Sequence, residues 1–174
     1  AIGAQRLVAQ ARYWTGQTLL AAGDMDAAEL SFRAMVGATG SPPGVPHAYA
    51  WHGLGDVAAR RGDYATAERK LDNALELAQL GSDAILEGRV RLSRAAALGS
   101  QGRIAAQVAE LHTAAAVFSG CGSVYLEARA MASIGAAEAS RGDRAAADAA
   151  WNRVAELYDK AAVPDADRLT RRDQ

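Results

Sequence analysis

The sequence predicts an all-α protein, an α-solenoid of about four antiparallel helix pairs. Three observations carry that expectation. A glycine turn returns at Gly23, Gly62, Gly102 and Gly142, at intervals of 39, 40 and 40 residues, and a period of that size marks stacked helical repeats. Each turn sits in the same order of sizes: a small residue seven positions before it, a small one five after, a large one nine after. The third observation is composition. Half of the 174 residues are hydrophobic but only 6% are aromatic, and about a quarter of the chain is alanine. A core of alanine needs close backbone approach, which suits helix on helix better than a β-sandwich.

The elements follow in order. Helices are expected over 4–22 and 25–38, 46–61 and 64–80, 83–100 and 104–118, and 123–141 and 144–160. The turn glycine ends the first helix of each pair in a left-handed conformation. Asp24, Asp63 and Asp143 follow it in three of the turns and are suited to cap the second helix. Seven positions before the turns stand Gly16, Gly55, Ala95 and Gly135. Five after stand Ala28, Ala67, Gln107 and Ala147, and nine after stand Phe32, Leu71, Leu111 and Trp151. Small residues at the crossing of two helices let the axes approach to the short end of the usual range. The large residue is expected to fill the gap between one pair and the next. The one long connection is "GATGSPPGVPHA", whose Pro42, Pro43 and Pro46 forbid continued helix. The shorter breaks are "GSD" at 81–83 and "SGCGS" at 119–123. The expected helical repeat domain covers residues 1–162, in units 4–38, 46–80, 83–118 and 123–160. Residues 163–174 form a polar tail or a short helix beginning near Pro164.

The turn, the paired small residues and the following large residue, with Trp51 and Leu54 of "AWHGLGDVAARRGDYATAERKLDNAL", resemble the tetratricopeptide repeat. The resemblance runs over roughly residues 9 to 160. It implies a right-handed solenoid and a scaffold that binds proteins or peptides. The third unit departs from the pattern at Arg94, where a leucine is usual, and at Gln107. The period also exceeds the usual ~34 residues, so the helices or their connections must be longer.

Chemistry-bearing motifs are sparse, and no enzymatic activity is expected. His47 and His52 lie in the second unit and His112 in the third, and none forms a close-spaced ligand pair with Cys121, so neither a metal nor a cofactor is expected. Cys121 has no base nominated beside it. The "RGD" triplets at 61–63 and 141–143 fall on repeat turns, and no Walker-type loop occurs. A formal net charge of −1 gives no basic field for direct nucleic-acid binding. Arg89, Arg91 and Arg94 spread over more than one helix face. No apolar run is long enough for a membrane helix, and one cysteine makes a reducing, cytoplasmic compartment the expectation.

The resemblance implies that the first helix of each pair lines a groove. Its rungs would be Gln10, Tyr49, Arg89 and Arg129; Tyr13, His52, Leu92 and Ala132; Gln17, Asp56, Ala96 and Ala136; and Ala21, Arg60, Ser100 and Ser140. The partner-binding candidates are therefore Tyr13, Gln17, Tyr49, His52, Asp56, Arg60, Arg89, Leu92 and Arg129. Tyrosine and histidine rings give rigid contact area with polar tips, and Arg89 and Arg129 are suited to grip a carboxylate. The competing reading makes Tyr13 and Tyr49 packing residues and leaves both arginines solvated. The alanine- and arginine-rich style and the start at Ala1 resemble the repeat region of large actinobacterial transcriptional regulators. On that reading the chain is a segment of a longer bacterial regulator, and the partner is a protein, a peptide or another domain of the parent. A small-ligand sensor and a spacer or homodimerisation arm are the alternatives.

Overall fold

The computed structural model describes residues 2–37, 44–164 and 168–169, and within its first helix the side chains of Val8 and of Ala11 onward. All regular structure among the described residues is helical. The helices are α1 Ile2–Ala21, α2 Met25–Gly37, α3 Val45–Arg60, α4 Tyr64–Leu80, α5 Ala84–Ser100, α6 Ile104–Gly120, α7 Val124–Ser140 and α8 Arg144–Lys160. The chain divides into two compact units, Ala1–Ser93 and Arg94–Gln174. In the first, α1 packs on α2 and α3, α2 on α3, and α3 on α4; in the second, α6 packs on α7 and α7 on α8. Within each unit, consecutive helices pack in chain order, as in a helical repeat.

The 40-residue period has a simple origin. From α4 to α8 every helix is 17 residues long and every connection is a three-residue turn. The length beyond the usual repeat lies in the helices. The pair turns and the turns between pairs share one geometry. The last residue of the turn donates its N–H to a carbonyl five residues back, as in Asp24 to Leu19, Asp63 to Ala58, Asp83 to Ala78 and Asp143 to Glu138. This closes the helix C-terminus by a Schellman motif. It requires a left-handed residue in the middle, and Gly23, Gly62, Gly102 and Gly142 have φ of +87°, +79°, +70° and +82°. The aspartates cap the helices that follow: Asp24, Asp63 and Asp143 each accept a backbone N–H at 3.0 Å. Asp83 does the same for Leu86 at the start of α5. The RGD triplets are thus turn and cap.

The small residues approach as expected, a Cβ on Gly55 lying 3.5 Å from the Ala67 carbonyl, and the glycines also receive the large residue of their own pair. Gly16 stands seven positions before the turn glycine and Phe32 nine after it, and a Cβ on Gly16 would lie 2.5 Å from the Phe32 ring. A Cβ on Gly53 of α3 would meet the same ring. Phe32 is fully buried, so one ring fills its own pair and the junction with the next. The same opposition recurs at Gly55 with Leu71 and at Gly135 with Trp151, where an added Cβ would approach within 2.7 and 2.6 Å. The glycine seven before the turn therefore receives the large residue nine after it, within one pair. The small residues five after the turn, Ala28, Ala67 and Ala147, are buried beside them.

The third unit compensates for its departures. Gly99 on α5 faces Gln107 on α6, and a Cβ there would come within 2.7 Å of the Gln107 amide. Arg94 pairs across to Glu110 at 3.6 Å. A polar pair and a glycine replace the apolar contact expected there.

At the C-terminal end, Val163, Pro164, Arg168 and Leu169 are not helical; residues 165–167 and 170–174 lie outside the described residues. Arg168 donates to the Val163 carbonyl at 2.8 Å and to Asp159 at 2.6 Å. Val163 and Leu169 pack on the buried cluster of Ala128, Ala132, Val154, Leu157 and Tyr158. Among the described residues of this stretch, Val163, Arg168 and Leu169 are held against the preceding helices.

Candidate functional site on the first helices of residues 1–93

Helices α1, α3 and α5 bring most of the groove candidates together. Tyr13 and His52 hold equivalent positions in successive pairs, and their side chains meet: Tyr13 Oη lies 3.0 Å from His52 Nδ1, with the rings stacked at 5.9 Å. On its other side, His52 Nε2 lies 2.8 Å from Ser93 Oγ and 3.6 Å from Asp56 Oδ2. Gln17 donates to the same Asp56 oxygen at 3.2 Å. A chain of polar contacts thus crosses three helices from three successive pairs.

The proton positions follow from donor and acceptor types. Asp56 only accepts, so a proton on His52 Nε2 serves both Asp56 and Ser93. Nδ1 then accepts from the Tyr13 hydroxyl, and the Arg89 guanidinium beside the phenol oxygen favours the same direction. We assign His52 as neutral and Nε2-protonated. Burial lowers its pKa, Arg89 adds to that, and Asp56 opposes it. Burial likewise raises the Tyr13 pKa, with Asp56 and Tyr49 adding and Arg89 opposing. Both side chains are almost fully buried, at 1% and 3% exposure. They build the floor of the face and do not present themselves on it.

The outer residues are aromatic and cationic. Tyr49 packs edge-on to Tyr13 at 4.8 Å and donates to Asp83 Oδ2 at 3.1 Å, so Asp83 caps α5 with one oxygen and holds Tyr49 with the other. Trp14, beside Tyr13 at 5.2 Å, is 52% exposed. The Arg89 guanidinium lies 5.0 Å over its ring. Arg89 Nε is buried without a hydrogen-bond partner, and no carboxylate among the described residues pairs with this arginine. Arg60 turns the other way: it donates to the Leu20 carbonyl at the end of α1, where a cation complements the helix dipole. Leu92 is half-buried and Arg129, on α7 of the other unit, is exposed. The Gln10 side chain lies outside the described residues.

Sequence reasoning missed Ser93, Asp83 and Trp14. Ser93 stands one position past the rung that holds Leu92, so the regular interval points to its neighbour. Trp14 is adjacent to the rung residue Tyr13, and its size next to a groove position was the available signal. Among the described residues no three His, Cys, Asp or Glu side chains gather to hold a metal ion, and no helix is long and apolar enough to cross a membrane. The geometry defines an all-helical repeat protein with a polar, aromatic first-helix face. No protein-family model matches the chain, and no curated protein matches it in sequence.

Proposed function

We propose that the chain is a non-catalytic interaction module of tetratricopeptide type whose first-helix face, in residues 1–93, recognises an acidic segment of a protein or peptide. The observation that carries this reading is Arg89: a guanidinium seated on the half-exposed Trp14 ring without a carboxylate of its own. An arginine oriented by an aromatic face is preorganised for a carboxylate, because little rotamer freedom remains to be lost on binding. The buried Tyr13–His52–Ser93 contacts support that surface from beneath. In this reading Trp14, Tyr49 and Arg89 touch the partner, and Tyr13, His52 and Asp56 hold them in place. The regulatory setting in a larger bacterial protein rests on the style of the sequence alone.

Peptide display on the immobilised protein tests the proposal. Selected peptides should be enriched in Asp and Glu, and Arg89→Glu should abolish their capture while Arg129→Glu leaves it unchanged. Selection without acidic enrichment, or capture that survives Arg89→Glu, contradicts the reading.

A further inference from the structure

His52 ties three first helices together. Its Nδ1 lies 3.0 Å from the Tyr13 hydroxyl of α1, and its Nε2 lies 2.8 Å from the Ser93 hydroxyl of α5. Asp56, one turn along α3, lies 3.6 Å from Nε2 and accepts from Gln17 of α1 at 3.2 Å. The charged and titratable groups that face the imidazole are Tyr13 from α1, Asp56 from α3 itself and Arg89 from α5. The imidazole and the phenol are both buried, so no bulk water replaces a partner that either one loses.

A neutral imidazole has one donor and one acceptor, and this arrangement uses both. A second proton, on Nδ1, turns the acceptor into a donor. The Tyr13 O–H then points at an N–H and has no acceptor, a buried-donor loss. The new charge also stands beside Arg89, with Asp56 as its one counter-charge and Gln17 already on that carboxylate. Parting α1 from α3 relieves this. It frees the Tyr13 hydroxyl and admits water to Nδ1, while Ser93 and Asp56 keep their places at Nε2. Opening one helix costs less than unfolding the unit.

We propose that His52 is an acid-sensitive latch: its neutral form closes α1 onto α3, and its protonation releases α1 and takes the first-helix face apart. Trp14 rides on α1 and Arg89 on α5, so opening parts the ring from the guanidinium now stacked on it. Burial and Arg89 hold the folded imidazole below its ordinary pKa of about 6.5, so the latch is closed at neutral pH and opens on the acid side. It is a property of the packing and does not depend on the ligand proposed for the face.

The test is amide hydrogen exchange of the ¹⁵N-labelled chain between pH 7.5 and pH 5 at fixed ionic strength, read as protection factors helix by helix, with the His52 ring titrated alongside. Opened α1 leaves an imidazole of ordinary pKa, so below about pH 6.5 the protection of α1 should fall by up to about tenfold per pH unit. Protection of α4 should fall less, and the Trp14 indole N–H should shift over the same range. His52→Gln, which cannot take up the proton, should remove the acid dependence of α1. Tyr13→Phe should raise the His52 pKa, because the neutral ring loses the donor on Nδ1. Protection of α1 that holds while His52 titrates overturns the proposal. So does loss of protection by the same factor in α1 and α4, or an unchanged acid dependence in His52→Gln. The comparison of α1 with α4 is made on the unaltered chain and stands without either variant.

Discussion

His52 is buried, neutral and in contact with three other polar side chains, and this gives it a defined pH signature. Tyr13 faces it from α1, Asp56 from its own helix, and Arg89 and Ser93 from α5. Its folded pKa lies below the ordinary value of about 6.5. Above that value both states are neutral and His52 adds no pH dependence. As the pH falls below it, the unfolded chain takes up a proton that the folded chain refuses, so stability declines with a slope approaching about 1.4 kcal/mol per pH unit. Urea midpoints at pH 8 and pH 5.5 measure this, and His52→Gln should flatten the difference. Tyr13→Phe removes the hydroxyl that donates to Nδ1 and should cost about 1–3 kcal/mol, the range for a buried acceptor left without its donor. An unchanged urea midpoint in that variant would show that the contact contributes nothing. Asp83→Ala removes both the α5 cap and the Tyr49 acceptor. It should cost about 1 kcal/mol or more, with Asp83→Asn, which keeps the capping oxygen, recovering most of the loss.

At the scale of the element, the controlling fact is that a glycine on one helix receives a large side chain from its partner. The Phe32 ring is fully buried and meets both Gly16 and Gly53. Gly16→Ala gains up to about 1 kcal/mol in helix propensity but overpacks the ring, at about 1–3 kcal/mol. The net result should be a lower melting temperature, partly restored by Phe32→Leu. Gly120→Ala is the control. An added Cβ there meets nothing within 4 Å, so the substitution should be neutral or slightly stabilising. Much of this level was legible in the sequence. Glycine turns and aspartate caps act within a few residues of themselves, so their pattern placed most helix ends within two residues. The end of α6 shows the limit: Ser119 and Gly120 read as a break, but both continue the helix, and the turn is Cys121–Ser123. Which residue meets which across a pair was less legible. Spacing gives sizes in order, and the choice between Gly16 facing Ala28 and Gly16 facing Phe32 depends on how two cylinders are rotated. The Gly99–Gln107 exchange in the third unit was unreadable for the same reason.

For the whole molecule, the sequence could list the residues of the first-helix face but not their division of labour. Tyr13 and Trp14 are neighbours of similar size. Helix rotation buries one against His52 and leaves the other half-exposed under Arg89. A recognition surface built on a single uncompensated guanidinium should also be salt-sensitive, because an exposed charge pair is screened over about 8–10 Å at physiological ionic strength. Affinity for an acidic peptide should therefore fall as sodium chloride rises, and a salt-independent affinity would point to apolar recognition instead. The most direct measurement is a chemical-shift map of a display-selected acidic peptide bound to the ¹⁵N-labelled chain. The proposed function predicts the largest changes at the Trp14 indole N–H and at the backbone of residues around Tyr49 and Arg89, with Lys70 and residues 94–169 undisturbed. Changes centred on α2 and α4, or on α6 to α8, would contradict it.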